Sequence, residues 1–384
     1  MIASRGISAL PFFCLVLGKL ETGRATAHLR WPSRGANKTD DVAANHEQDP
    51  ASFYEEDETF WGHLLDEGSV PSMSMPPPPP QTSGIFVWFT GEGGTLVKMT
   101  VDGSEELFRR VFKQGKSVGV DPSDGSAWIP DIEGPARNQA VKVGPDGRDT
   151  LRVENLRFGF LDVDPADGSV WIGLPNENEM VKLNSEGGLL FRVSGFEAPW
   201  SVAVDPNDGS VWVADGGGSG RKLVKLGKTG DVLLSEPVPG GFFSNTPQQI
   251  SVDPRDSSVW YTNRGGSTVV KLSSMGTPMA TATGVNNPVA VSVDPQDGSI
   301  WTVSFSAREV IKFDATATEL KRLKFDIVPL SVSVHPYDGT LWVGYSNNVL
   351  VQLSTEGEEI TRFQLRTDEE TTTVNHIVTK EIGV

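Results

Sequence analysis

The sequence predicts an all-β protein, a seven-bladed β-propeller of four-stranded blades, and three observations predict it. A phrase of the form Val-Asp-Pro-x-Asp-Gly recurs, as in VDPSDGSAWIPD from Val120, VDPNDGSVWVAD from Val204 and VDPQDGSIWTVS from Val293. Seven tryptophans keep step with it: Trp88, Trp128, Trp171, Trp212, Trp260, Trp301 and Trp342, at gaps of 40, 43, 41, 48, 41 and 41 residues. Between them lie short apolar runs separated by turn residues, about four per repeat. A period near forty with four strands per unit is the mark of a propeller.

The chain has 384 residues and a formal charge of −17, with 41 glycines and 26 prolines. That balance argues against general nucleic-acid binding, which rests on clustered Lys and Arg. The first residues, Met1 to Ala27, read as a secretion signal. Arg5 gives a short basic start, ISALPFFCLVLG is apolar but too short to span a bilayer, and Ala25-Thr-Ala27 is a small-x-small cleavage site. Extracellular export is therefore expected, with a secretory-pathway organelle as the alternative. Cys14 is the sole cysteine and falls inside that signal, so no disulfide or thiolate metal site is expected in the mature chain.

Residues 28–83 read as an acidic, proline-rich disordered tail and linker. Phe53, Phe60, Trp61, Leu64 and Leu65 could share one helical face and serve as a docking peptide. Five consecutive prolines then favour an extended connector, and Asn37 opens the one glycosylation sequon.

The propeller is expected over 84–384. In one unit the strands are SVAVD, SVWVA, KLVKL and DVLLS. The first carries a small residue at its centre (Gly119, Ala203, Ser251, Ser292, Ser333), as suits a strand crowded near the axis; Asp162 is the one charge there. The second is apolar on both faces, as expected of a blade sandwiched between neighbours, so each repeat tryptophan reads as packing between blades. The Asp-Pro-x-Asp-Gly segment is turn chemistry: Asp accepts backbone amides, Pro presets φ, and Gly takes a left-handed position. The last copy has His335 in place of Asp, read as tolerance at a turn. The first unit has no such phrase before Trp88, and VNHIVTKEI follows the last. The simplest closure puts that C-terminal strand, with His376, into the first blade; leaving the first unit out would give six blades.

These residues resemble the NHL-repeat and streptogramin-lyase-like (virginiamycin B lyase-like) propellers. The pattern Pro…Asp…Trp recurs from Pro199, Pro247 and Pro288, and from Pro329 with His335 in the Asp place. The resemblance implies a propeller fold over 84–384. It also implies, for a lyase, a divalent metal held by histidines after the repeat Pro and a Glu three residues after the repeat Trp. This chain has Trp200, Gln248, Val289 and Leu330 at the first positions, and Gly91, Asp131, Leu174, Asp215, Asn263, Ser304 and Tyr345 at the second. The lyase set is absent. A lactonase-type hydrolase would instead use calcium or magnesium in the channel, with Asp131, Asp162, Asp215 and Asn263 as ligands, although Asp and Asn here also fit loop capping.

No catalytic residue and no cofactor is otherwise expected, and the enzyme reading is second to binding. Loops between the second and third strands share a face with those between blades. That face should carry Arg137, Arg221, Arg264 and Arg308, with Phe158, Phe196, Trp200, Phe242, Phe243, Phe305 and Tyr345 from neighbouring loops. Arginine forks bind carboxylate or sulfate, and aromatic faces stack on sugars or side chains. The sequence thus reads as a monomeric binding or scaffold propeller for an anionic polysaccharide or an acidic protein segment. The competing reading is solvated arginines offset by Glu133, Glu177 and Glu309.

Overall fold

The structure, a computed structural model, describes residues 84–91, 95–102, 106–112, 117–132, 138–156, 159–217, 221–238, 247–364 and 373–382. The expected signal, Asn37, the docking segment and the linker lie outside these residues. Among them no helix is long and apolar enough to cross a membrane.

Seven four-stranded antiparallel sheets follow one another in the chain. Blade 1 holds β1 (Gly84–Gly91), β2 (Thr95–Thr100) and β3 (Glu106–Val111), with β28 (Val374–Ile382) as its innermost strand. Blade 2 runs from β4 (Gly119–Val120) through β5 (Ala127–Ile132) and β6 (Asn138–Val143) to β7 (Asp149–Glu154). Blade 3 is β8 (Leu161–Val163), β9 (Val170–Leu174), β10 (Glu179–Leu183) and β11 (Leu189–Ser194). Blade 4 is β12 (Pro199–Val204), β13 (Val211–Asp215), β14 (Lys222–Leu226) and β15 (Val232–Pro237). Blade 5 is β16 (Pro247–Val252), β17 (Val259–Asn263), β18 (Thr268–Leu272) and β19 (Pro278–Thr283). Blade 6 is β20 (Pro288–Val293), β21 (Ile300–Ser304), β22 (Glu309–Phe313) and β23 (Glu319–Lys324), and blade 7 is β24 (Pro329–Val334), β25 (Leu341–Tyr345), β26 (Val349–Leu353) and β27 (Glu359–Gln364). The first strands of successive blades touch in a closed ring, β24 meeting β28 and β28 meeting β4. Seven blades with a C-terminal closing strand is the arrangement the sequence predicts; the six-bladed alternative falls.

The core is distributed between blades. Each repeat tryptophan packs with apolar residues of the following blade: Trp88 with blade 2, Trp171 with Val202, Val204 and Val213, Trp301 with blade 7, and Trp342 with Val87, Val97 and Ile377 of blade 1. All seven are 0% exposed. Third-strand lysines lie over these rings, Lys182 Nζ 5.1 Å from Trp171 and Lys225 Nζ 5.5 Å from Trp212. Each also reaches the next blade, donating to Lys228 O and Ser274 O respectively. The ammonium is thereby satisfied while its stem covers the indole.

The repeated turn behaves as its chemistry dictates. Asp205 Oδ1 accepts the Asn207 amide (3.0 Å), Asp208 Oδ1 accepts that of Ser210 (2.8 Å), and Gly209 sits at φ +70°. His335 substitutes for Asp because its Nδ1 accepts the Tyr337 and Asp338 amides (3.3 and 3.1 Å). Beyond that last turn lies the closing strand rather than another such turn. There Tyr337 donates its hydroxyl to Glu381 on β28.

Near the axis the small residues do more than relieve crowding. Val293 N–H donates to Ser251 Oγ, Val334 N–H to Ser292 Oγ, and Thr379 N–H to Ser333 Oγ, at 3.2, 3.1 and 2.9 Å. Asp162 takes the same place, accepting Val204 N–H at 2.9 Å. Two positions before the shared register, Gln249 Oε1 accepts Val291 N–H and His376 Nδ1 accepts Val118 N–H. First strands, which have no partner on their axial edge, are stitched to the next blade by side chains.

Candidate functional site

The face opposite the Asp-Pro-x-Asp-Gly turns is built from the turns between second and third strands and the loops between blades. Its framework is set three residues after each repeat tryptophan. Asp215, fully buried, accepts the amides of Glu197 (3.0 Å) and Ala198 (2.7 Å), and so pins the loop entering blade 4. Ser304 Oγ donates to Asn286 O (2.9 Å) in the corresponding loop before blade 6. Asn263 Oδ1 accepts Gly266 N–H (3.3 Å) within its own turn. Asp131 accepts from Arg152 and Gln139, both at 3.3 Å.

On this framework blades 5 and 6 bring together Arg264, Asn287 and Phe305, with Arg308 in the same turn as Phe305. Arg264, in the turn after β17, donates from Nε to Asn287 Oδ1, and its guanidinium lies 6.0 Å from the Phe305 ring centroid. Asn287 Nδ2 donates on to Ser306 Oγ (3.1 Å). Phe305 and Ser306 belong to the same four-residue turn as Arg308, whose left-handed φ of 58° closes that turn before β22. Arg308 itself donates to Asp326 O (2.9 Å) and is exposed. Asn287 was not singled out from sequence; its left-handed φ of 57° in the loop before blade 6 is the feature behind its role.

Charge separates these two arginines from others. On the outer strands Arg152 pairs with Asp149, Arg192 with Glu179 and Glu177, Arg322 with Glu309 and Glu319, and Arg362 with Glu359. Among the described residues neither Arg264 nor Arg308 has a carboxylate partner. The glutamates expected to offset them, Glu177 and Glu309, are engaged by Arg192 and Arg322 instead. Arg221 enters β14 in blade 4, on the same face.

Two expected surface aromatics are corrected. Phe196 is 6% exposed and packs against Trp171 in the core between blades 3 and 4. Tyr345 is 1% exposed and meets Phe325 edge-on at 5.4 Å, and burial pushes its phenol well above its ordinary range. Both lie at element ends beside an apolar neighbour, so burial wins over display. Trp200 and Phe305 remain half-buried. Arg137, Phe158, Phe242, Phe243 and Glu133 lie outside the described residues.

With this geometry established, solved structures of similar shape can be compared. A protein from Lactobacillus plantarum aligns over 78% of this chain and 100% of its own, with a TM-score of 0.61 and 13% identity. A streptogramin B lyase aligns over 66% of this chain and 84% of its own, with a TM-score of 0.56 and 16% identity. Virginiamycin B lyase from Staphylococcus aureus covers 66% and 85%, with a TM-score of 0.55 and 14% identity. The fold is that of a streptogramin-lyase-like propeller. No family model and no curated sequence matches the chain.

The residues named as metal ligands under the hydrolase reading are, among the described residues, held by other partners. Among the described residues no three His, Cys, Asp or Glu side chains gather so as to hold a metal ion. Asp215 and Asp131 spend their oxygens on loop amides and on Arg152. Asp162 lies on the axial strand β8, with both oxygens accepting backbone amides, those of Val163 and Val204 (both 2.9 Å). Burial pushes its carboxyl above the usual range, against the opposing pull of the Lys380 ammonium. It is a joint between blades and remains half-buried. His376 spends Nδ1 on Val118, and His335 is in a turn of the opposite face.

Proposed function

We propose that this propeller is a binding module whose loop face, at blades 5 and 6, takes a carboxylate- or sulfate-bearing ligand, an anionic glycan first and an acidic protein segment second. The observation that carries this is Arg264, held by Asn287 beside the Phe305 ring, with Arg308 in the same turn as Phe305, both arginines lacking carboxylate partners among the described residues. A guanidinium offers a planar fork to a carboxylate or sulfate, and the half-buried Phe305 ring gives an apolar surface beside it. Fixed by Asn287, the Arg264 side chain has already lost part of its rotamer freedom, so less is lost on binding. Arg221, and Arg137 beyond the described residues, would extend the face. With the apolar start at Met1–Ala27, the reading is of an exported protein.

The test is retention of the full chain on immobilised sulfated and uronic-acid polysaccharides, a poly-glutamate peptide and neutral dextran. We expect salt-sensitive binding to anionic members, weakened at least about tenfold by the double change Arg264→Ser and Arg308→Ser. Binding to dextran alone, or anionic binding indifferent to both changes, overturns the assignment.

A further inference from the structure

On the opposite face, between blades 2 and 3, a cavity of about 570 Å³ opens among the Asp-Pro-x-Asp-Gly turns. Four carboxylates line it, Asp121, Asp124, Asp167 and Glu186, with one ammonium, Lys142. That ammonium is already engaged: Lys142 Nζ donates to Asp124 Oδ2 (3.1 Å) and to Ser185 O (3.3 Å). Pro145 and Leu151 supply an apolar wall. The volume suits a small ligand.

The repeat provides its own comparison. In blade 3, Asp164 has Lys182 Nζ at 3.7 Å; in blade 4, Asp205 has Lys225 Nζ at 4.0 Å; in blade 5, Asp253 is held by Arg255 at 2.8 Å. The corresponding acid of blade 2 is Asp121, only 2% exposed. Its Oδ1 accepts the Ser123 amide and hydroxyl (2.9 and 2.6 Å). Its Oδ2 points across the blade boundary toward Gly168 and, among the described residues, takes no hydrogen bond or ion pair; Lys142 pairs with Asp124 instead. Asp294 of blade 6 also has no cation within ion-pair distance, but Asp121 is the copy that lines this cavity. A nearly buried carboxylate with one of its two oxygens unpaired carries a cost, and a cation at that oxygen reduces it.

We propose that this cavity binds a primary ammonium on an aliphatic stem, with Asp121 and Asp167 as counter-charges and Pro145 and Leu151 against the stem. A lysine fills the matching place in blades 3 and 4, so the chemistry is the protein's own, presented by a ligand instead of by the third strand. The carboxylates do not converge as a metal site requires, whereas an ammonium with three divergent donors can bridge them. A free polyamine and a lysine of another protein share this group. The site is independent of the arginine face, being on the other side of the ring.

The experiment is titration calorimetry of the full chain in amine-free, low-salt buffer with 1,5-diaminopentane, N-acetyl-lysine amide and 1,5-pentanediol. Saturable binding of the diamine, weakened at least about tenfold in Asp121→Asn and in Asp167→Asn and unchanged in Asp294→Asn, is expected. Each asparagine keeps the oxygen that caps its turn, and thermal melts confirm folding; should Asp121→Asn fail to fold, Asp167→Asn decides alone. Binding of N-acetyl-lysine amide equal to that of the diamine assigns the site to a protein lysine; binding of the diamine alone assigns it to a free polyamine. Equal heats for the diol, no saturation, or full affinity in the asparagine variants overturns the proposal. Arg264→Ser with Arg308→Ser leaves this binding intact, which separates its failure from that of the loop face.

Discussion

At the scale of the residue, one phrase repeated six times contains two kinds of constraint that sequence alone cannot separate. Gly209 needs its left-handed φ of +70°, and the space where a Cβ would sit is taken by Asp164 Oδ2 of the preceding blade at 2.8 Å. Gly284 has a similar φ of +75° but only an Arg322 guanidinium nitrogen at 4.0 Å. Gly284→Ala should therefore cost about 1 kcal/mol for the backbone alone. Gly209→Ala should cost about 2–3 kcal/mol, since the blade interface must also give way. Urea unfolding of the two variants measures the difference, and equal costs would remove the interface contribution. The tolerated change at His335 follows the same logic: an acceptor at the right place matters more than a charge. The turn role was legible in Asp205 and Gly209. The contact between neighbouring turns was not, because it joins positions 45 residues apart, Asp164 and Gly209.

At the scale of the element, the closing strand β28 is the most informative. It pairs with β1 from Gly84↔Ile382 to Gly91↔Val374 and meets blades 2 and 7 on its flanks. Its His376 holds Val118 through a neutral Nδ1, and burial pulls the imidazole down to about 4 from its ordinary 6.5. A depressed folded value means that the unfolded chain takes up the proton first as pH falls. Stability is then full above about pH 6.5 and declines as pH drops toward 4, by roughly 3 kcal/mol at most. Gln249 makes the same bond in blade 5 without titrating. His376→Gln should keep the joint and flatten that part of the profile, leaving the contribution of His335, whose imidazole burial also lowers against the pull of Asp338. Chemical denaturation between pH 7 and 4 checks this; an unchanged slope in the variant would remove His376 as the cause. The strand's place was readable from the missing first strand before Trp88. The acceptor role of His376 was not, because its donor lies 258 residues away.

At the scale of the whole molecule, the ring is a set of seven nearest-neighbour interfaces, each with one tryptophan and the next blade's valines. Closure by β28 gives blade 1 its innermost strand and turns an open array into a ring in which each blade packs against two neighbours. Deleting 373–384 should leave Val87 and Phe89 of blade 1 without their packing against Ile377 and Val374, and β1 without a partner on its inner edge. The outcome expected is loss of a single cooperative unfolding transition and self-association, read by calorimetry and size-exclusion chromatography; a monomer with the full-length transition would show that β28 is dispensable. By itself the sequence determined the repeat, the strand order and the structural nature of the tryptophans, because each is written in local period and turn chemistry; it favoured seven blades closed by the C-terminal strand, and the structure decided against six. Only the tertiary structure decided which side chains meet across blades. It buried Phe196 and Tyr345, spent Asp131, Asp162 and Asp215 on backbone and ion-pair duties, and joined Arg264 to Phe305. It also left Asp121 facing a cavity without the cation that the matching acids of blades 3, 4 and 5 have. The physical reason is range: a turn or a strand is set by neighbours within a few residues, whereas a site here is set by side chains some forty residues apart that only the ring brings together.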